Sequence, residues 1–226
     1  MRLVRHSHAC VSLHDGARGL LIDPGAFTPD GAALLAQASA VLVTHPHFDH
    51  LDVAAVLAAL EERADLVVYG PAGVAEALAG APAERVVVLA DGDRIEVAGF
   101  AVEVVGGLHA PIHDEIPVPQ NLGYLVDRAV FHPGDSYEIP PWPVDTLLVP
   151  TSGPWVRTGQ SIDWIREIAP RRAVAIHDVM LSEVGRRSSE QFLGRSGIPL
   201  LTPAPGESLS VEGRATDGEG ASGARR

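Results

Sequence analysis

The stretch Thr44-His45-Pro46-His47-Phe48-Asp49-His50-Leu51-Asp52 puts three imidazoles and a carboxylate within six positions. Packing alone does not explain such a run, because each of these groups is costly to desolvate without a partner. A metal ion supplies that partner. His45 and His47 stand two residues apart, so on an extended or turning backbone their rings point to the same side and can share one cation. Asp49 and His50 follow as the chain turns, within reach of a second cation. A His-rich surface loop is the competing reading, and the strand-to-loop-to-helix setting argues against it.

That setting comes from the flanking residues. Ala40-Val41-Leu42-Val43 reads as a strand that stops where the histidines begin, and Asp52 as the N-cap of an Ala-rich helix over 53–62. Short strands at 3–4, 9–13 and 19–22, with the turn His14-Asp15-Gly16, predict an antiparallel start. A helix at 31–37, a strand at 66–69, a helix at 71–79 and a strand at 85–89 predict an α/β layer. Hairpins follow at 94–97 with 100–105 and at 121–126 with 129–132, then a strand at 144–149. Ser161 reads as the N-cap of a helix over 162–169, followed by a strand at 173–176 and a helix over 182–193. One domain over 1–202 is expected, with a C-terminal extension over 203–226 that is disordered from about 212.

Three later strands end in residues of the same chemistry: Gly106-Gly107-Leu108-His109, Pro133-Gly134-Asp135-Ser136 and, after 173–176, His177-Asp178. His45-x-His47-x-Asp49-His50 followed by these clusters resembles the signature of the metallo-β-lactamase superfamily. Within it, the chain looks like the branch of small metal-dependent hydrolases that includes ascorbate-6-phosphate lactonase. The resemblance implies a four-layer αββα sandwich, two mixed sheets flanked by helices. It also implies that His45, His47 and His109 hold a first ion, that Asp49, His50 and His177 hold a second, and that Asp135 bridges them. His109 is preferred to His113 as the third ligand because it ends its strand directly, which leaves His113, or Tyr137, as a proton-transfer candidate. His8 is expected to support the ligands. Trp155 is expected either to stack on a substrate or to seal the sheet edge.

The implied cofactor is a pair of divalent ions, with zinc favoured and manganese or iron also suited to imidazoles and carboxylates. Two such ions would bring the pKa of a shared water towards about 7, giving a nucleophile that Asp49 orients. The expected reaction is hydrolysis of a small ester, lactone or phosphorylated metabolite. The alternatives are a phosphodiesterase or nuclease of the same superfamily, or a non-catalytic metal-dependent binding or regulatory protein.

Composition narrows the partners. The net charge is −12 and no Lys/Arg cluster stands out, so the electrostatic footprint of a nucleic-acid binder is missing. Cys10 is the single cysteine, which excludes an intramolecular disulfide and a Cys-rich zinc cluster. The start, Met1-Arg2-Leu3-Val4, has no long apolar leader and no stretch approaches the ~20 apolar residues of a membrane span, so a cytoplasmic location is expected.

Overall fold

Strands whose two faces are both covered read as continuous apolar runs, and that pattern builds this chain's two sheets. The computed structural model describes residues 1–212. The first sheet contains β1 (Arg2–Arg5), β2 (Val11–Asp15), β3 (Arg18–Ile22), β4 (Ala40–Leu42), β5 (Val68–Gly70) and β6 (Val86–Val88), adjacent in that order. β1 to β3 pair antiparallel, and β3 to β6 pair parallel through the crossover helices α1 (Gly31–Gln37), α2 (Val53–Glu62) and α3 (Ala72–Ala77).

The second sheet repeats the plan. β7 (Arg94–Val97), β8 (Phe100–Val105), β9 (Gly123–Val126) and β10 (Val130–His132) form an antiparallel meander. β11 (Thr146–Pro150), β12 (Arg172–Ile176) and β13 (Leu200–Leu201) continue it in parallel, crossing through α4 (Thr158–Ile168) and α5 (Glu183–Leu193).

Three hydrophobic layers follow from side-chain alternation. In β3, Leu20 and Ile22 enter the core between the sheets, where they meet Phe100, Tyr124 and Val174, while Leu21 faces the helices. Leu35 of α1, Val56 and Leu60 of α2 and Val74 of α3 close that outer face. On the other sheet Leu147 and Ala173 pack with Trp164 and Ile165 of α4 and Leu193 of α5. The result is the expected αββα sandwich of two mixed sheets between helices.

Two sequence expectations need correction. The helix assigned to 162–169 begins a turn earlier, with Arg157 at the N-cap position, and Ser161 lies inside it. Its hydroxyl donates back to the Arg157 carbonyl at 3.2 Å, an i−4 bond that a Ser inside a helix commonly makes. The domain also extends past residue 202. β14 (Ser208–Ser210) pairs antiparallel with β1, and Val211 is fully buried in the inter-sheet core. Without it β1 would present an unpaired edge. The residues beyond 212, where disorder was expected, lie outside the described residues. Among the described residues no helix is long and apolar enough to cross a membrane.

Candidate metal centre

Four loops at one end of the sandwich converge. The loop after β4 brings His45, His47, Asp49 and His50, and those after β8, β10 and β12 bring His109, Asp135 and His177. Asp52 caps α2 as expected, its carboxylate accepting the Ala55 N–H at 3.1 Å, so the histidine loop runs straight into a rigid helix. From the other side Gly25 lies against the loop backbone. A Cβ there would sit 1.9 Å from the Asp49 carbonyl oxygen, so only glycine permits the approach.

The backbone is strained where the ligand loops meet. His8, Asp23 and His177 are buried non-glycine residues with φ of 55°, 53° and 56°. Such left-handed conformations persist only where the surroundings hold them, and they collect at functional sites. His177 donates its N–H to the His8 carbonyl at 2.8 Å, and its own carbonyl accepts from the backbone and hydroxyl of Ser152.

The donor atoms fall into overlapping groups. Those of His45, His47 and His109 lie within 4.8 Å of one another, as do those of Asp49, His50 and His177 together with His8. Asp135 faces both groups. Its Oδ1 is 3.2 Å from His50 Nε2, and its Oδ2 is 3.3 Å from His109 Nε2 and 3.2 Å from His177 Nε2. His50 Nε2, His177 Nε2 and Asp135 Oδ1 are buried with no hydrogen-bond partner. Buried polar atoms without partners need an explanation, and a cation held between His50, His177 and Asp135 supplies one. The residues therefore fit a metal centre, with Asp135 placed to join its two halves.

The rings are aimed by what grips their far sides. The Asp23 carboxylate accepts from Thr44 N–H (2.8 Å), from the Thr44 hydroxyl (2.7 Å) and from His50 Nδ1 (2.7 Å). The Thr44 oxygen in turn is 3.0 Å from His45 Nδ1, and His109 Nδ1 donates to the Ala110 carbonyl at 2.6 Å. Each leaves an Nε2 for the centre, as ligating histidines require. Gly134, at φ 61°, lets Asp135 dock its N–H on Asn121 Oδ1 at 2.9 Å.

Electrostatics without metal follow from burial and pairing. Burial drives His45 well below the ordinary imidazole range, and the neighbouring histidines add to that. Burial alone would lower His50 and His177 too, but Asp135 together with Asp23 lifts His50 well above its usual value, and Asp135 together with Asp49 lifts His177 to about 8. Asp135 is held well below the carboxylate range: burial opposes this, and the charges of His50 and His177 overcome it. Asp49 is lowered likewise, with hydrogen bonds from His177 and His8 overcoming its burial.

All seven sequence-assigned ligands thus come together, and His8 supports them, its Nε2 donating to Asp49 Oδ2 at 3.0 Å. His113 does not join them. It is exposed on the loop after β8, its Nδ1 accepting the Glu115 N–H at 3.1 Å, because the chain turns outward after Ala110. Tyr137 is occupied elsewhere, its hydroxyl near Ser161 Oγ and accepting from Arg157 N–H. His6 is not among the clustered donors; its Nε2 is 2.8 Å from Ser12 Oγ. Trp155 is neither a stacking platform nor a mere seal: it is buried, and its indole N–H donates to Asp135 Oδ2 at 3.0 Å. The grips by Asp23, Asn121 and Trp155 were missed. Only Asp23 carried a sequence signal, as the Asp-Pro that ends β3.

A family model described as a beta-lactamase superfamily domain matches residues 2–177. Protein Rv0786c of Mycobacterium tuberculosis is 37% identical over 82% of this chain and 88% of its own length. UPF0173 protein PF0020 of Pyrococcus furiosus is 30% identical over 89% of this chain and 94% of its own. Among solved structures, Igni18, a metallo hydrolase from Ignicoccus hospitalis, superposes with a TM-score of 0.70 at 16% identity, covering 92% of this chain and 97% of that one. The last likeness concerns the fold alone.

Proposed function

The chain belongs to the metallo-β-lactamase superfamily of metal-dependent hydrolases, and on that premise we propose that it is a dinuclear hydrolase of a small ester, lactone or phosphorylated metabolite. The observation that carries the proposal is Asp135, a buried carboxylate whose Oδ2 lies between His109 of one histidine group and His177 of the other while its Oδ1 faces His50. His45, His47 and His109 would hold one ion, Asp49, His50 and His177 the other. Zinc is the favoured metal on affinity rank, and manganese or iron suits the same donors. When bound, the ions supply a water acidic enough to be a nucleophile near neutral pH.

The chain's own residues do the rest. Asp49 has one oxygen tied to His8 and His177, and its side chain is more exposed than that of Asp135, so its other oxygen is free to orient the attacking water. With His113 outside the cluster, Asp49 would also pass to the leaving group the proton that its free oxygen takes from the attacking water. Trp155, Asn121 and Asp23 keep the donors from drifting as charge develops.

Elemental analysis of protein purified without chelator tests this reading. About two ions per chain are expected in the wild type and one or none in Asp135→Ala. The loaded protein should hydrolyse at least one of a lactone, a thioester and an ester. One ion at saturating metal would overturn the bridged centre, and hydrolysis of none would move the protein to the binding reading.

A further inference from the structure

A cavity of about 370 Å³ adjoins the centre, and His109 itself forms part of its wall. Leu108, Ala110, Pro111 and Val118 supply an apolar side, and Tyr137 and Glu138 face it. No lysine or arginine lines it. The single charged group on the wall is the Glu138 carboxylate, which makes no salt bridge among the described residues. The loop beyond adds Asp114 and Glu115, both exposed. An anionic tail lying along this wall, away from the ligands, would meet the Glu138 charge with no lysine or arginine to offset it.

The rim carries the complementary signal. Large apolar side chains left in water cluster at the ligand loops: Phe48 (64% exposed) stands between His47 and Asp49, and Leu108 (60%) directly precedes His109. Ile116 and Val118 lie on the loop after His109, Ile139 follows Asp135 by four residues, and Met180 follows His177 by three. That loop is pinned at its base, His109 donating its N–H to the Pro119 carbonyl at 3.0 Å, so Ile116 and Val118 are presented from a fixed hinge. Exposed apolar surface gathered around one concave polar site marks a recognition surface.

We propose that the cavity and rim recognise the apolar acyl or alkyl chain of an uncharged substrate, with the cleaved bond at the metal centre and the chain running past Leu108 and Val118. This rests on the hydrolase reading and narrows it: phosphorylated metabolites are excluded. Its continuity with His109 is what assigns the surface to substrate rather than to a second protein.

Hydrolysis of p-nitrophenyl esters from acetyl to octanoyl by the metal-loaded protein tests it. Each added methylene is expected to raise kcat/KM about threefold to fourfold until the cavity is filled. A terminal carboxylate on the same chain should lower kcat/KM at least tenfold. The double variant Ile116→Asp/Val118→Asp, exposed and outside the ligand set, should flatten the series at wild-type metal content. A flat series in the wild type, or preference for the carboxylated ester, would overturn the proposal.

Binding of the uncharged dye Nile red gives a second measurement that does not depend on turnover. Displacement by decanol, and at least tenfold weaker binding to the double variant, would support apolar recognition even if no ester were cleaved, so that only the hydrolase reading failed. Equal binding by both proteins would overturn the proposal itself. Sedimentation completes the test: conversion of a wild-type dimer to a monomer by the double variant would make the rim a subunit interface and likewise overturn it.

Discussion

Trp155 shows how a single contact decides the quality of a metal site. The Asp135 Oδ2 that accepts its indole proton is the same oxygen that lies 3.3 Å from His109 Nε2 and 3.2 Å from His177 Nε2. A fixed donor on that oxygen leaves the carboxylate one orientation. Trp155→Phe keeps a ring in the pocket and removes only the donor, so metal affinity should fall roughly tenfold to a hundredfold, as for other partners that orient ligands. Chelator competition measures it; unchanged affinity would reduce Trp155 to packing. The ligands themselves were legible because each imidazole or carboxylate is costly unless satisfied, which makes their clustering informative. Trp155 was not, because an indole twenty residues from Asp135 carries no mark of what its N–H will meet. Arg5 is a second such case. It is a buried cation at the end of β1, bonded to the Ala175 and Pro203 carbonyls and to Asp178, so it fixes the turn just after His177.

Elements were readable where period and caps agreed. α1 and α2 match their sequence ranges, and the hairpin of β7 and β8 does too, because Ala98-Gly99 supplies two residues of positive φ for its turn. β14 escaped because three residues with two serines have no periodicity of their own; its reason for existing is the unpaired edge of β1. The loop between β4 and α2 is the element on which the site depends, and its shape is set by Gly25 as much as by its own residues. Gly25→Ala places a methyl against the backbone at Asp49 and His50, where no flexible side chain can yield. The expected cost is about 2 kcal/mol or more, as for other overpacked or strained sites. Because the displaced segment carries Asp49, metal content should drop with stability. Thermal unfolding and elemental analysis of the same sample check both, and wild-type values for either would show that the loop can shift away freely.

At the scale of the molecule, the two half-sheets, each a meander continued by parallel crossovers, bring their loops to one end. The charges collected there cannot all be relieved without metal. His177, lifted to about 8 chiefly by Asp135 against its burial, holds its proton more tightly folded than unfolded. Its contribution to stability is therefore complete below its unfolded value of about 6.5 and is lost as pH rises through about 8. His50 is shifted in the same direction. Asp49 and Asp135, both lowered, contribute above the usual carboxylate range and stay constant here. His45 and His47, also lowered, change stability only below about 6.5. Between pH 7 and 8.5 the metal-free protein should then lose about 1 kcal/mol from His177 alone, a fall in Tm of about 2–4 °C. Metal reverses the sign, because ligation requires the same imidazoles to shed their protons and so strengthens over that window. Melting curves at the two pH values, with chelator and with saturating zinc, should therefore diverge, and His177→Gln should flatten the chelated one. A metal-free Tm that stays level or rises from pH 7 to 8.5 would show that the histidine and carboxylate charges are not coupled as the geometry requires.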